Sequence, residues 1–158
     1  MIKGLISLML IPALLAGCSK KEEKQAVSPA ATSGQAAKKE SVVVVPNSVK
    51  GKWKAVKIAV TDKDTNKETV YTVAIGATFT IPGTNLSVQV ENFLPHFMMD
   101  GTTLTSQSNE LKNPAAQIRI SEGGNEIFKG WLFSRFPTTH AFQHPKFGFT
   151  LVDFIPAG

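Results

Sequence analysis

Apolar and polar residues alternate along much of the chain from Val56 onward. The alternation is clearest in residues 86–91 (LSVQVE) and 116–121 (AQIRIS), where every second residue is apolar. Ile58 and Val60 share the parity of Val56. Because successive side chains of a strand point to opposite faces, this period predicts strands that are buried on one face.

Short polar connections separate the predicted strands. Residues 61–66 (TDKDTN) link the first strand to residues 67–75, whose Thr, Val and Tyr content also favours a strand. Residues 78–81 predict a short strand that ends at the turn 82–85 (PGTN). Residues 121–125 (SEGGN) predict a second tight turn, so we expect hairpins at these connections.

The last third of the chain is richer in apolar residues. Residues 126–134 and 147–155 are apolar at both parities, which is typical of strands covered on both faces, whereas residues 95–114 are the least regular part. No long apolar period of 3.6 is present beside these short strands. The pattern predicts an all-β fold, a single small antiparallel β-sandwich or barrel-like domain that follows a disordered tether.

The chain starts with a short apolar segment, residues 5–15. A membrane-spanning helix needs about 20 residues, so this segment favours a secretory signal peptide. It is followed by Ala16-Gly17-Cys18, which resembles the lipobox of bacterial lipoproteins. We therefore expect cleavage between Gly17 and Cys18 and a lipid on the Cys18 sulfur. Since Cys18 is the only cysteine, the mature protein would have no thiol for a disulfide or for catalysis.

Residues 19–45 are mostly polar and show no apolar period before four valines at 42–45. They predict a flexible tether with a span on the order of 30 Å. The expected organisation is a signal peptide at 1–17, a lipidated cysteine and tether at 18–45, and a β-rich domain at 46–158. This domain would face the periplasm, and the serine that follows the anchor favours the outer over the inner membrane.

The charge of the protein lies largely outside this domain. The whole chain has a net charge of +5, but residues 46–158 contain nine lysines and two arginines against nine acidic residues, a net charge of +2. They show no basic stripe with interleaved aromatic residues, which argues against nucleic-acid binding. The lysines near the anchor favour contact with anionic lipid instead.

The histidines raise the question of a metal site. His140 and His144 have the spacing H-x-x-x-H, but prolines at 137 and 145 argue against a helix there. His96, Met98, His140 and His144 together could form a soft copper site, which we keep as an alternative. The simpler interpretation is that His140 and His144 bond backbone carbonyls and that the residues after His96 fill the core or an apolar patch.

Other catalytic and metal motifs are weak. Residues 62–68 (DKDTNKE) resemble the start of a calcium loop, but Lys67 occupies the position of the required glycine, so a plain hairpin turn is favoured. A catalytic triad could be drawn from Ser134, His140 and Asp153, but a chain of this length offers such combinations by chance. No nucleophile elbow, phosphate loop or H-E-x-x-H motif is present, and we assign no catalytic residue and no cofactor.

Residues 128–145 contain a longer motif, FKGWLFSRFPTTHAFQHP. It resembles the signature F-x-G-W-[LM]-F, Pro, [HN]-A-[LF]-[EQ]-H-P of the bacterial envelope family called domain of unknown function 2155. The matching residues are Phe128, Gly130, Trp131, Leu132, Phe133, Pro137, His140, Ala141, Phe142, Gln143, His144 and Pro145. The resemblance implies an exported β-rich domain and no activity, and this chain lacks the paired cysteines of many members.

These observations lead to two hypotheses of function. The first is a membrane-anchored envelope lipoprotein that is not an enzyme and binds another envelope protein by its aromatic loop or by an edge strand. Its candidate binding surface consists of Trp131, Phe133, His140 and His144, although Trp131 is expected to lie in the core. The alternative is a metal-binding or redox accessory protein that uses the histidine and methionine residues.

Overall fold

The computed structural model describes residues 40–158, and these residues form strands and connections without a helix. The strands are β1 (Val42–Val43), β2 (Trp53–Asp62), β3 (Lys67–Ala74), β4 (Thr78–Thr80), β5 (Leu86–Leu94), β6 (Phe97–Asp100), β7 (Thr103–Ser106), β8 (Ala115–Glu122), β9 (Asn125–Phe133) and β10 (Phe147–Pro156). The predicted all-β class is confirmed.

The strands form three sheets. The two larger sheets have the strand orders β10-β2-β3 and β4-β5-β8-β9, and a small third sheet has the order β1-β7-β6. All neighbours are antiparallel except β1 and β7, which are parallel. The described strands do not close into a barrel. We call the sheet of β10, β2 and β3 the front sheet, and the sheet of β4, β5, β8 and β9 the back sheet.

The core lies between the front and back sheets, as in a sandwich. From the front sheet, the alternating residues Val56, Ile58 and Val60 are buried on one face. From the back sheet, the core cluster includes the β5 and β8 residues Val88, Val90, Ile118 and Ile120. The period-2 pattern therefore identified the buried face of these strands correctly.

The predicted tight turns are confirmed. The β2–β3 hairpin turns at residues 63–66, where Asn66 has a φ of 55°. The β8–β9 hairpin turns at Gly123 and Gly124, with φ values of 56° and 87°. Such left-handed conformations favour Gly and Asn, which explains why the sequence identifies these turns.

The expectation that the two apolar strands near the C-terminus are covered on both faces holds only for the end of β9, where Phe97 packs on the outer-face residues Trp131 and Phe133. β9 and β10 are edge strands of their sheets, and their outer residues Ile127 and Val152 are 38% and 45% exposed. The residues between positions 95 and 114 are more regular than expected, because β6 and β7 form a hairpin there.

The expected boundary between tether and domain also needs correction. Val42–Val43 form β1 inside the segment 18–45 that was predicted to be flexible. The Val42 backbone N–H donates to the Thr102 carbonyl at 3.0 Å, and the Val44 N–H donates to the Leu104 carbonyl at 2.9 Å. The sheet thus begins before position 46. The predicted signal peptide and the processing site at Gly17 and Cys18 lie outside the described residues.

Among residues 40–158, no helix is long and apolar enough to cross a membrane.

Candidate functional site

The motif at residues 128–145 is divided between two faces of the back sheet. In the register of β8 and β9, Phe128 pairs with Ile120 and Leu132 pairs with Ala116, so these positions face the core. Trp131 has the opposite parity and lies on the outer face. The motif therefore does not form one continuous aromatic surface.

Trp131 and Phe133 pack against the third sheet. The ring of Phe97, in β6, lies 5.0 Å from the Trp131 ring and 5.0 Å from the Phe133 ring, both in edge-to-face geometry. All three residues are half buried, and none belongs to the core cluster. The expectation that Trp131 lies in the core is therefore wrong, because its parity directs it to the outer face, where it holds β6 against the back sheet.

Phe128 explains the glycine of the motif. A Cβ atom at Gly130 would lie 2.5 Å from the Phe128 Cζ, so the Phe128 ring covers the glycine. The same ring stacks on Phe142 with its centroid at 4.7 Å. Gly130 thus accommodates an aromatic ring of its own strand, which connects β9 to the loop before β10.

His144 organises the start of β10. It is 8% exposed, and its Nδ1 accepts hydrogen bonds from the backbone N–H groups of Lys146 and Phe147 at 3.2 and 3.1 Å. Its own carbonyl accepts a hydrogen bond from Lys63 Nζ at 2.7 Å. The expectation that the His144 ring bonds a backbone carbonyl is wrong, because the ring nitrogen is an acceptor of amide protons.

His140 has a different environment from His144. It is exposed and has a φ of 51°, a left-handed conformation in the turn between β9 and β10. His144 lies on the core side of the motif, whereas Trp131 and Phe133 lie on the opposite face of the back sheet. The structure therefore does not bring the four predicted binding residues together.

The alternative metal site is also separated by the fold. His144 lines a cleft with Leu86, the first residue of β5, whereas His96 lies just beyond the other end of that strand, after Pro95. A strand of this length spans on the order of 25 Å, so one ion cannot bind both imidazoles. His96 Nδ1 instead lies 3.1 Å from Ser108 Oγ. In the described part of the chain, no group of three His, Cys, Asp or Glu side chains could hold a metal ion.

Residues 62–68 form the expected hairpin turn. Asp62 Oδ1 accepts hydrogen bonds from the backbone N–H groups of Asp64 and Thr65, both at 3.0 Å. The Thr65 amide and, to a smaller extent, the Asp64 amide lower the pKa of Asp62. The Asp62 carboxylate therefore stabilises the hairpin turn by accepting these hydrogen bonds.

The free edge of β3 is the most regular unpaired edge of the two larger sheets. β3 pairs with β2 along eight consecutive positions without a register shift, and its other edge has no neighbour among the described strands. A cleft of about 430 Å³ lies beside it, lined by Lys67, Thr69 and Tyr71 of β3 and by Lys146 from the start of β10. A second cleft of about 520 Å³, lined by His144 and Phe142, adjoins the first one at Gly83 and Thr84.

Sequence reasoning missed Lys67 and Lys146 as residues of one site. In the sequence, Lys67 occupies the glycine position of an incomplete calcium loop, and Lys146 belongs to no motif. The two lysines line one cleft because the β2–β3 hairpin and the start of β10 lie at the same end of the front sheet. No local signal in the sequence indicates this proximity.

A scan against protein-family models found no match, and searches of curated proteins and of solved structures found none either. The resemblance to domain of unknown function 2155 stays a prediction.

Proposed function

We propose that this protein is a lipid-anchored envelope protein whose β-domain binds an extended segment of another envelope protein. The segment would add to the front sheet as a new strand beside β3, without catalysis. Main-chain hydrogen bonds supply the affinity in this mode of recognition, and side-chain pockets supply the specificity.

The observation that supports this proposal most is the contrast between β3 and the other edges of the two larger sheets. β4 is only three residues long, and β9 and β10 both contain register shifts. Short length and irregular pairing protect an edge from further strand addition. β3 has eight residues, regular pairing and no proline, so its free backbone groups can accept another strand.

The side chains of β3 suit a partner strand. Val70 is 49% exposed and Thr72 is exposed, both on the outer face of the front sheet. Val and Thr pair well with side chains of a neighbouring strand, at about 0.2 to 1 kcal/mol for each favourable pair. A docked segment would cover Val70.

The location of the protein in the envelope is part of the proposal and derives from the sequence. Gly17-Cys18 would be the processing site, Cys18 would carry the lipid, and the outer membrane is the preferred location. The polar residues after Cys18 would let the domain reach partners near the membrane. The resemblance to domain of unknown function 2155 supports export in the same way.

Two matched substitutions on one face of the front sheet test the proposal. Val70→Lys places a charge on the β3 edge, whereas Val152→Lys makes the same change at the β10 edge, where the exposure is 45% instead of 49%. The full chain would be used to capture partners from envelope membranes of its own organism. We expect Val70→Lys to weaken capture of one partner at least about tenfold, or ~1.4 kcal/mol, and Val152→Lys to retain it.

Hydrogen exchange distinguishes strand addition from other modes of binding. A segment paired with β3 should slow the exchange of those backbone amides of Lys67–Ala74 that point to the free edge of the sheet. Capture that both lysine substitutions weaken equally, capture that neither weakens, or unchanged exchange in β3 would each contradict strand addition. Absence of any retained partner would contradict the binding function itself.

A further inference from the structure

The cleft beside β3 lies where the front and back sheets separate. β3 extends from Lys67 to Ala74, but the strand that faces it, β4, covers only Thr78–Thr80. The ring of Tyr71 stacks on Phe79 at 4.6 Å and closes the cleft at one end. The first half of β3 therefore has no strand opposite it, and the cleft occupies this space.

The cleft has an apolar floor and a polar rim. Val60, Ile81 and Phe147 form the floor, and each is at most 6% exposed. The polar rim consists of Asp62, Thr65, Lys67, Thr69, Thr84 and Lys146. The floor excludes water from one side of any side chain that enters, which strengthens electrostatic interactions with the rim.

The rim contains two cations, Lys67 and Lys146, and one carboxylate, Asp62. Within residues 40–158, neither Lys67 nor Lys146 forms an ion pair, although five ion pairs are present elsewhere. Asp62 lies opposite Lys67 in the register of β2 and β3, and its Oδ1 accepts two backbone hydrogen bonds. The Thr65 amide and, to a smaller extent, the charge of Lys146 lower the pKa of Asp62, so this carboxylate is an anion. Glu122 lines the adjoining cleft, which Lys146 also lines. With two cations against the one carboxylate of Asp62, the rim has a net charge of +1 and favours a further negative charge.

The geometry of strand addition directs a partner side chain into this cleft. Lys67, Thr69 and Tyr71 alternate on the face of β3 that lines it. A strand added to β3 would lie about 4.8 Å away, and its residues opposite these positions would have Cβ atoms about 4.5 to 5.5 Å distant. Side chains of one parity would thus project between the sheets, towards Lys67 and Lys146.

We infer that the cleft binds an acidic side chain, Asp or Glu, of an extended segment docked on β3, with Lys67 and Lys146 as the cations that hold it. This inference rests on the proposed function, since it assumes that β3 accepts the strand. The alternating neighbours of the acidic residue in the segment would face outward beside Val70. The preferred partner is therefore an extended segment with one acidic residue on its inward face.

Selection from a random peptide library tests the inference with a defined probe. The full chain in detergent would be immobilised, and peptides displayed on phage would be selected against it. We expect enriched peptides to carry an acidic residue at a fixed position. Their affinity for Lys67→Glu and for Lys146→Glu should be at least about tenfold lower than for the unchanged protein. Their affinity for Lys52→Glu should equal that for the unchanged protein. Lys52 is an exposed lysine before β2 and outside the cleft, which makes it a matched control.

A charge swap adds a gain-of-function outcome. The double variant Lys67→Glu, Lys146→Glu should select peptides with Lys or Arg at the position that was acidic. Thermal unfolding of each variant identifies any loss of the fold, and the single variants replace the double variant if it does not fold.

The outcomes separate this inference from the proposed function. Peptides that lack an acidic residue but lose binding in Val70→Lys would overturn the acidic pocket and leave strand addition intact. Peptides that bind Val70→Lys as well as the unchanged protein would overturn docking on β3. Absence of any enrichment over an unrelated immobilised protein would overturn both.

Discussion

Gly130 shows how one residue of the motif depends on a side chain two positions earlier. The Phe128 ring occupies the space where a Cβ at position 130 would lie, at 2.5 Å from its Cζ. The sequence indicates that a glycine in a strand permits some close approach. Only the structure shows that the approaching group is a ring of the same strand.

Gly130→Ala should therefore destabilise the domain. The new methyl group must displace Phe128 from its stack with Phe142, and such overpacking typically costs about 1 to 3 kcal/mol. Gly148→Ala is the matched control, because a Cβ there would meet its nearest neighbour, Thr61 Cβ, at an ordinary 3.8 Å. Thermal unfolding should show a clear decrease for Gly130→Ala and a small change for Gly148→Ala. Equal changes would contradict this account of the glycine.

His144 is a structural residue at the same scale. Its Nδ1 accepts two backbone amide protons in a site that is 8% exposed. His144→Ala should strand these amides and reduce the free energy of unfolding by about 1 to 3 kcal/mol. His140→Asn should change the free energy of unfolding little, because the position is exposed and Asn tolerates its left-handed backbone conformation. Denaturant unfolding measures both variants, and an unchanged free energy of unfolding in His144→Ala would contradict the structural role of this residue.

At the scale of elements, the third sheet is attached to the back sheet by aromatic side chains. Phe97 in β6 contacts both Trp131 and Phe133 of β9. The adjacent residue Leu132 faces the core and is 3% exposed. Neighbouring positions of β9 therefore stabilise different interfaces, one between the two larger sheets and one between the back sheet and β6.

Substitutions at these neighbouring positions should have unequal effects. Leu132→Ala creates a cavity in the core and should cost about 2 to 5 kcal/mol. Trp131→Ala removes a half-buried ring from one edge-to-face contact, and we expect a smaller loss than for Leu132→Ala. The measurement is the midpoint and slope of denaturant unfolding for both variants. A larger loss for Trp131→Ala would show that the third sheet contributes more to stability than the core position.

At the scale of the whole molecule, the fold separates residues that the sequence places together and joins others that are distant. His144 is close in sequence to Trp131, yet His144 lies on the core side of the motif and Trp131 on the outer face of the back sheet. Lys67 and Lys146 are far apart in sequence, yet they line one cleft. The candidate site was therefore less predictable than the fold.

The sequence by itself determined the class of the fold, most strand positions and the tight turns. Period-2 alternation indicates which face of a strand is apolar, and the turn residues Asn66, Gly123 and Gly124 indicate a left-handed backbone. Both signals are properties of short segments. The tertiary structure decided that β3, β9 and β10 are edge strands, that β1 joins the third sheet, and that Lys67 and Lys146 line one cleft. The physical reason is that an alternating apolar pattern indicates which face of a strand is buried. Which strands become neighbours depends instead on backbone hydrogen bonds that every sequence can form.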